Sequence, residues 1–181
     1  MKIQVNIDDS IRKIPDFPKP GVLFYDITSV LTDPAAFDYC ITEAKTWINT
    51  HKPDAIAAID ARGFLFAAPV AKDLALPLIM VRKKGKLPGR VYSEDFELEY
   101  GHDTVEVHAD DVPKGGKVVI VDDLIATGGT LSAAARLFAK GGASLAGVFA
   151  VIGLPFLDYA SKLGTIPTKT LINYNSEHID S

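Results

Sequence analysis

VVIVDDLIATGGT, residues 118–130, joins an apolar run to a pair of aspartates and a Thr-Gly-Gly-Thr turn. Such a run suits a central strand of a parallel sheet, which helices cover on both faces. The residues that follow, TLSAAARLFAKGG, have helical periodicity and a Gly-Gly stop. A glycine turn between strand and helix presents backbone N–H groups and the positive end of the helix dipole, which together hold a phosphate without a lysine. Ala126, Thr127, Gly128, Gly129 and Thr130 therefore read as a phosphate cradle in which the two threonines add hydroxyl donors. Neither G-x-x-x-x-G-K-[ST] nor G-x-G-x-x-G occurs, which argues against an ATP P-loop and a dinucleotide fold. Carboxylates are poor company for a phosphate but good acceptors for vicinal hydroxyls. Asp122 and Asp123 beside the loop thus point to a sugar phosphate, with the ribose 2′- and 3′-hydroxyls donating to them.

The flanking segments alternate strand and helix. DAIAAID (Asp54–Asp60) reads as a buried strand, GFLFAAPVAKDL as a helix and PLIMV (Pro77–Val81) as the next strand, and SLAGVFAVIG supplies a further one. Asp33-Pro34 places an N-cap and a first-turn proline before AAFDYCITEAKTWINTH, an amphipathic helix. From Arg82 to Gly116 the pattern breaks. Partial alternation, many charges and turns at Pro88-Gly89 and Lys114-Gly115-Gly116 suggest an antiparallel excursion or flap inserted into a parallel sheet.

Composition bounds the remaining possibilities. At 181 residues with 48% hydrophobic content, the expectation is one α/β domain over residues 1–181. A net charge of −4 argues against a generally basic, nucleic-acid-binding surface. One cysteine, Cys40, excludes an internal disulfide and a cysteine-cluster metal site. No apolar run approaches the roughly 20 residues that span a bilayer, and the N-terminus has no apolar signal core, so a cytoplasmic protein without a membrane partner is expected. His51, His102, His108 and His178 show neither pairing nor ligand spacing.

The stretch 118–130 resembles the 5-phosphoribosyl 1-pyrophosphate (PRPP) signature of the type I phosphoribosyltransferases. PDFPKPGVLFYDIT (Pro15–Thr28), DARGFLF (Asp60–Phe66), RKKGKLPG (Arg82–Gly89) and LEYG (Leu98–Gly101) follow in the order seen in the adenine-specific branch of that family. The resemblance covers about Ile11 to Gly153. It implies a central parallel sheet flanked by helices, a small N-terminal hood at about residues 1–33 and a flap at about 82–108. The implied activity is transfer of phosphoribose from PRPP to adenine, giving AMP and pyrophosphate, by a homodimer.

Breaking the C1′–O bond of PRPP builds positive charge on the sugar and negative charge on departing pyrophosphate, so cations belong near the leaving group. Arg62, Lys83 and Lys86 are the candidates, and Arg62 counts among the catalytic ones. Mg²⁺ is the expected cofactor, bridging pyrophosphate and ribose oxygens with no direct protein ligand. Position within LEYG assigns Glu99 to the proton of the purine ring. The resemblance places adenine against Val22, Phe24 and Tyr25, read largely by backbone groups, and it implies a cis peptide bond between Asp60 and Ala61. This chain departs from the family at Tyr25, where many members carry arginine or another polar residue, and in FLFA for FLFG. A phosphoribosyltransferase for another base would normally lack the PDFP and LEYG segments. A non-catalytic PRPP-binding regulator would be expected to carry a DNA-binding appendage, and fewer than 20 residues precede the PDFP segment. Beyond Leu154 the sequence offers no signal.

Overall fold

The computed structural model describes residues 5–97 and 101–176. The chain opens with a short helix α1 (Ile7–Ser10), a ribbon of β1 (Arg12–Pro15) and β2 (Leu23–Asp26), α2 (Thr28–Leu31) and the long α3 (Pro34–His51). Next come β3 (Ala55–Ile59), α4 (Gly63–Leu74) and β4 (Leu78–Lys83), then the hairpin of β5 (Val91–Glu97) and β6 (His102–His108). The remainder is β7 (Lys117–Ile125), α5 (Gly129–Lys140), β8 (Ser144–Gly153), a 3₁₀ turn at Pro155–Leu157, α6 (Tyr159–Leu163) and β9 (Thr168–Asn173).

Local chemistry explains several boundaries. The Asp33 carboxylate caps α3 by accepting from the N–H groups of Ala35 at 3.0 Å and Ala36 at 3.2 Å, while Pro34 fills a first-turn position that needs no donor. Such a cap contributes about 1 kcal/mol. Helix α5 stops at Lys140, and Gly142 takes the left-handed backbone (φ 84°) that lets the chain turn into β8.

The main sheet has the order β5-β6-β4-β3-β7-β8-β9. β4, β3, β7, β8 and β9 run parallel, and β6 joins β4 antiparallel through Arg82↔Glu106 and Lys83↔Val105. The expected antiparallel excursion is therefore the edge of the same sheet. Every residue of β3 is buried because helices cover both faces. Ile56 and Ala58 pack toward α3 and α4, whereas Ala55, Ala57 and Ile59 pack toward α5. Cys40 lies within the first of these layers as a free thiol, which burial pushes up to about 12.

Three features differ from the sequence reading. β7 does not stop at the aspartates but continues to Ile125, because β8 keeps pairing with it through Leu124↔Ile152 and Ile125↔Gly153. Lys83 ends β4 rather than lying in a loop. The region past Leu154 supplies α6 and the parallel strand β9.

The connection leaving β3 runs through α4 to β4 on one side, while β7 arrives on the other. Ligands of open α/β sheets bind in the crevice at such a reversal, outside the carboxyl ends of the strands. Here those ends carry Asp60–Arg62 and Asp122–Thr130.

Candidate active site

β7 feeds Ala126, Thr127 and Gly128 into α5. Gly128 has φ 75°, and a Cβ there would lie 3.2 Å from the Tyr159 carbonyl oxygen, so backbone and space both require glycine. The loop bounds a cavity of about 110 Å³ lined by Asp122 and the residues from Leu124 to Leu131, at the N-terminus of a helix long enough to carry a dipole. Gly63 lets α4 approach β7: a Cβ on it would sit 2.8 Å from Asp122 Oδ1 and 3.0 Å from the Val121 carbonyl oxygen.

The two aspartates are not equivalent. Asp123 is buried, and Arg62 Nε donates to its Oδ2 at 2.5 Å from a side chain that stays half exposed. Asp122 Oδ1 accepts from the Asp123 N–H at 2.8 Å. Enclosure, and next the neighbouring Asp123 carboxylate, push the Asp122 carboxyl well above the usual range, with Arg62 opposing weakly. A ligand bringing hydroxyl donors and positive charge would relieve this crowding.

The Asp60–Ala61 peptide bond is cis, and Arg62 follows at the start of α4. Arg82 Nε donates to Asp60 Oδ2 at 3.0 Å, tying the end of β4 to this turn. A cavity of about 200 Å³ opens between them, lined by Asp60, Arg82, Lys83, Phe96, Asp103 and Thr130 among others. Lys83 reaches its rim, 3.1 Å from Asp103. Lys86 is exposed on the turn after β4, whose Gly85 N–H donates to the buried Glu106 at 2.9 Å. Sequence reasoning missed Glu106 and the pairing of Asp60 with Arg82, since each partner is distant in the chain.

A further cavity of about 220 Å³ lies under the β1–β2 ribbon, lined by Val22–Tyr25, Arg62, Leu124, Leu154, Phe156 and Leu157. Phe24 makes an edge contact with Phe17, ring centroids 5.0 Å apart. Tyr25 lines the cavity too. Its ring is buried and stacked on Tyr174 at 3.7 Å, so only its backbone and edge are left for a ligand in the cavity. Leu154, Phe156 and Leu157 escaped the sequence reading, although LPFL after a strand was a usable sign of an apolar wall.

These cavities adjoin. Thr130 lines both the phosphate and the Asp60 cavities, and Arg62, paired with Asp123, lines the apolar one. A larger cavity of about 470 Å³ lies between the β5–β6 hairpin and α5, and among the described residues it shares only Gly129 with the site residues expected from sequence. Glu99 and His178 lie outside the described residues. His51 is committed to its own helix, with Nδ1 3.0 Å from the Trp47 carbonyl oxygen.

A strand-borne acid pair, a glycine phosphate loop and an arginine at a facing turn define a phosphoribosyltransferase, and the model of the phosphoribosyl transferase domain matches residues 26–162. Adenine phosphoribosyltransferase of Treponema denticola is 56% identical over 96% of this chain and 91% of its own length. The crystal structure of adenine phosphoribosyltransferase from Thermoanaerobacter pseudethanolicus superposes with a TM-score of 0.88 at 47% identity, covering 93% of this chain and 98% of that one. The Saccharomyces cerevisiae enzyme, complexed with an imino-altritol bisphosphate and adenine, gives 0.87 at 36% identity over 92% and 96%. The chain belongs to the adenine phosphoribosyltransferase family.

Proposed function

We propose that the chain transfers the 5-phosphoribosyl group of PRPP to adenine, releasing pyrophosphate and forming AMP. The observation that carries this reading is the set of adjoining cavities at the carboxyl ends of β3 and β7, one each for a phosphate, a diphosphate and an apolar planar base. The 5′-phosphate occupies the Ala126–Thr130 loop. The ribose hydroxyls donate to Asp122 and Asp123, whose charge favours the cationic sugar of the transition state. Arg62, Lys83 and Lys86 receive the departing pyrophosphate. Adenine lies against Val22, Phe24 and the backbone of Tyr25, with backbone groups of this segment discriminating its 6-amino group from a 6-oxo group. Glu99 accepts the proton that leaves the purine ring as N9 bonds to C1′.

Among the described residues no cluster of three or more His, Cys, Asp or Glu side chains could hold a metal. The donor set present suits an ion that keeps its waters and is held by substrate oxygens beside Asp122, as Mg²⁺ is. Bound there, Mg²⁺ supplies charge neutralisation to the leaving pyrophosphate. PRPP consumption measured with adenine, hypoxanthine, guanine and orotate, with and without a chelator, tests the reading. Adenine alone is expected to be consumed, and only with Mg²⁺; comparable turnover of hypoxanthine overturns the assignment.

Assembly as a homodimer is the second part of the proposal. Ile56↔Leu78 and Ala58↔Met80 put Leu78 and Met80 on the sheet face that α4 covers, yet both are exposed, as is Leu65 of α4. A second copy burying this apolar flank accounts for them. Sedimentation should give twice the chain mass, falling toward the monomer in Met80→Asp. One cysteine, buried and free, suits the reducing cytoplasm.

A further inference from the structure

The base cavity has β2 as one wall, and β2 belongs to a ribbon of only two strands, a unit that holds its shape poorly by itself. Its anchorage comes from the opposite end of the chain. Tyr174, just past β9, lays its ring on that of Tyr25 with centroids 3.7 Å apart and planes 8° from parallel. The Tyr174 hydroxyl donates to Asp8 Oδ1 at 2.5 Å, and Lys13 Nζ donates to the same carboxylate at 2.9 Å. Lys13 also stands over the Tyr174 ring, 5.4 Å from its centroid. Tyr25 in turn donates from its hydroxyl to the Ser176 carbonyl at 2.9 Å. The Tyr174 N–H closes the clasp on the sheet by donating to the Gly153 carbonyl at 3.0 Å, next to Leu154 of the cavity wall.

We infer that Tyr174 is a positioning residue for base recognition: it fixes Tyr25, and through it the β2 backbone that faces the base, against the wall formed by Leu154. The inference rests on the reading of this cavity as the base site. A planar stack constrains both the distance and the tilt of β2. The backbone donors and acceptors of Val22–Asp26 can discriminate a base only while they are held still, because specificity comes from fixed polar groups that the wrong partner leaves unpaired. Burial and the bond to Asp8 raise the Tyr174 phenol, which stays protonated and keeps donating. The phosphate loop shares none of these contacts, so the effect should be confined to the base.

Steady-state kinetics with the base that wild-type protein consumes provide the test. Tyr174→Ala should raise KM for that base about tenfold and narrow its preference over the other purines, while KM for PRPP changes by less than about twofold. Tyr174→Phe keeps the stack and should restore most of the affinity. Should the alanine variant fail to fold, Tyr174→Leu retains apolar bulk without the flat face and should show the same one-sided rise. An unchanged base KM in a folded alanine or leucine variant, or equal rises for base and PRPP, overturns the inference. Failure of wild-type protein to consume adenine would instead strike the functional reading, and the comparison with the base it does consume would still decide the role of Tyr174.

Discussion

Asp122 to Thr130 bring the acid pair, the glycine turn and the helix N-terminus together in one continuous strand-loop-helix. The base cavity on the other side of Arg62 draws its walls from β2, Leu124 and Leu154–Leu157, and its support from Tyr174. One half of the site is thus a property of local chain geometry and the other of tertiary packing. The difference predicts how each fails. A change in the contiguous half should remove a contact and leave the rest intact, whereas a change in the dispersed half should loosen a wall.

The largest effect is expected at Glu99, the proposed acceptor of the purine proton. Glu99→Gln keeps the shape of the side chain and removes its basicity, so under the proposed role kcat should fall by about 10²–10⁴-fold while PRPP binding is spared. Single-turnover measurements with PRPP binding followed separately would check this. Normal turnover would return proton removal to water or to a group in one of the two halves.

Within the contiguous half, Asp122→Ala should weaken PRPP and AMP about 10–100-fold, the loss of a charge-assisted hydrogen bond of roughly 1.5–3 kcal/mol. Titration calorimetry with AMP reads this directly. Asp123→Ala should differ, since it also releases the half-exposed Arg62 guanidinium that donates to this buried carboxylate. Equal behaviour of the two variants would show that the asymmetry between the aspartates has no energetic weight.

Gly63 sharpens the comparison, because it supports the contiguous half from outside. Gly63→Ala forces a Cβ to within 2.8 Å of Asp122 Oδ1 and 3.0 Å of a backbone oxygen. Overpacking of this kind costs about 1–3 kcal/mol, a drop of several degrees in Tm. AMP affinity should fall with it, since Asp122 is the group displaced.

The same contrast explains what could be read in advance. The strand-turn-helix of residues 118–130, the Asp33 cap of α3 and the alternation of β3, α4 and β4 were legible because their causes are local: periodicity, turn chemistry and an N-cap. The hairpin was legible as antiparallel, but not as the edge of the main sheet, since the pairing of Arg82 and Lys83 with Glu106 and Val105 decides that. Strand β9 was invisible. TKTLIN has intermediate burial and little apolar content, and it becomes a strand by adding to the edge of β8. The stack that buries the Tyr25 ring was invisible for a related reason, since its partner Tyr174 lies at the far end of the chain. Asp60 with Arg82 and Glu106 with Gly85 likewise appear only when distant segments meet.

The smallest effect expected concerns the acid sensitivity of the clasp on the dispersed half. Donation from Tyr174, first, and from Lys13 hold the Asp8 carboxyl below its usual range. A carboxyl whose folded value is depressed contributes stability that is fully present above the unfolded value of about 3.9 and is lost as pH falls through the folded value. The Asp8 side chain is 35% exposed, so solvent screening limits the contribution to about 1 kcal/mol or less. Asp8→Asn should therefore lower Tm by a few degrees at most at neutral pH, since 1 kcal/mol corresponds to about 2–4 °C for a chain of this size. The difference from wild type should shrink below about pH 4 and vanish once the wild-type carboxyl is protonated in both states. Thermal unfolding of the pair across that range is the measurement. A difference that persists undiminished into acid would mean that the protonated Asp8 carboxyl accepts from Tyr174 as well as the carboxylate does, so that its charge carries no weight, whereas no difference at neutral pH would leave the clasp to its ring stack.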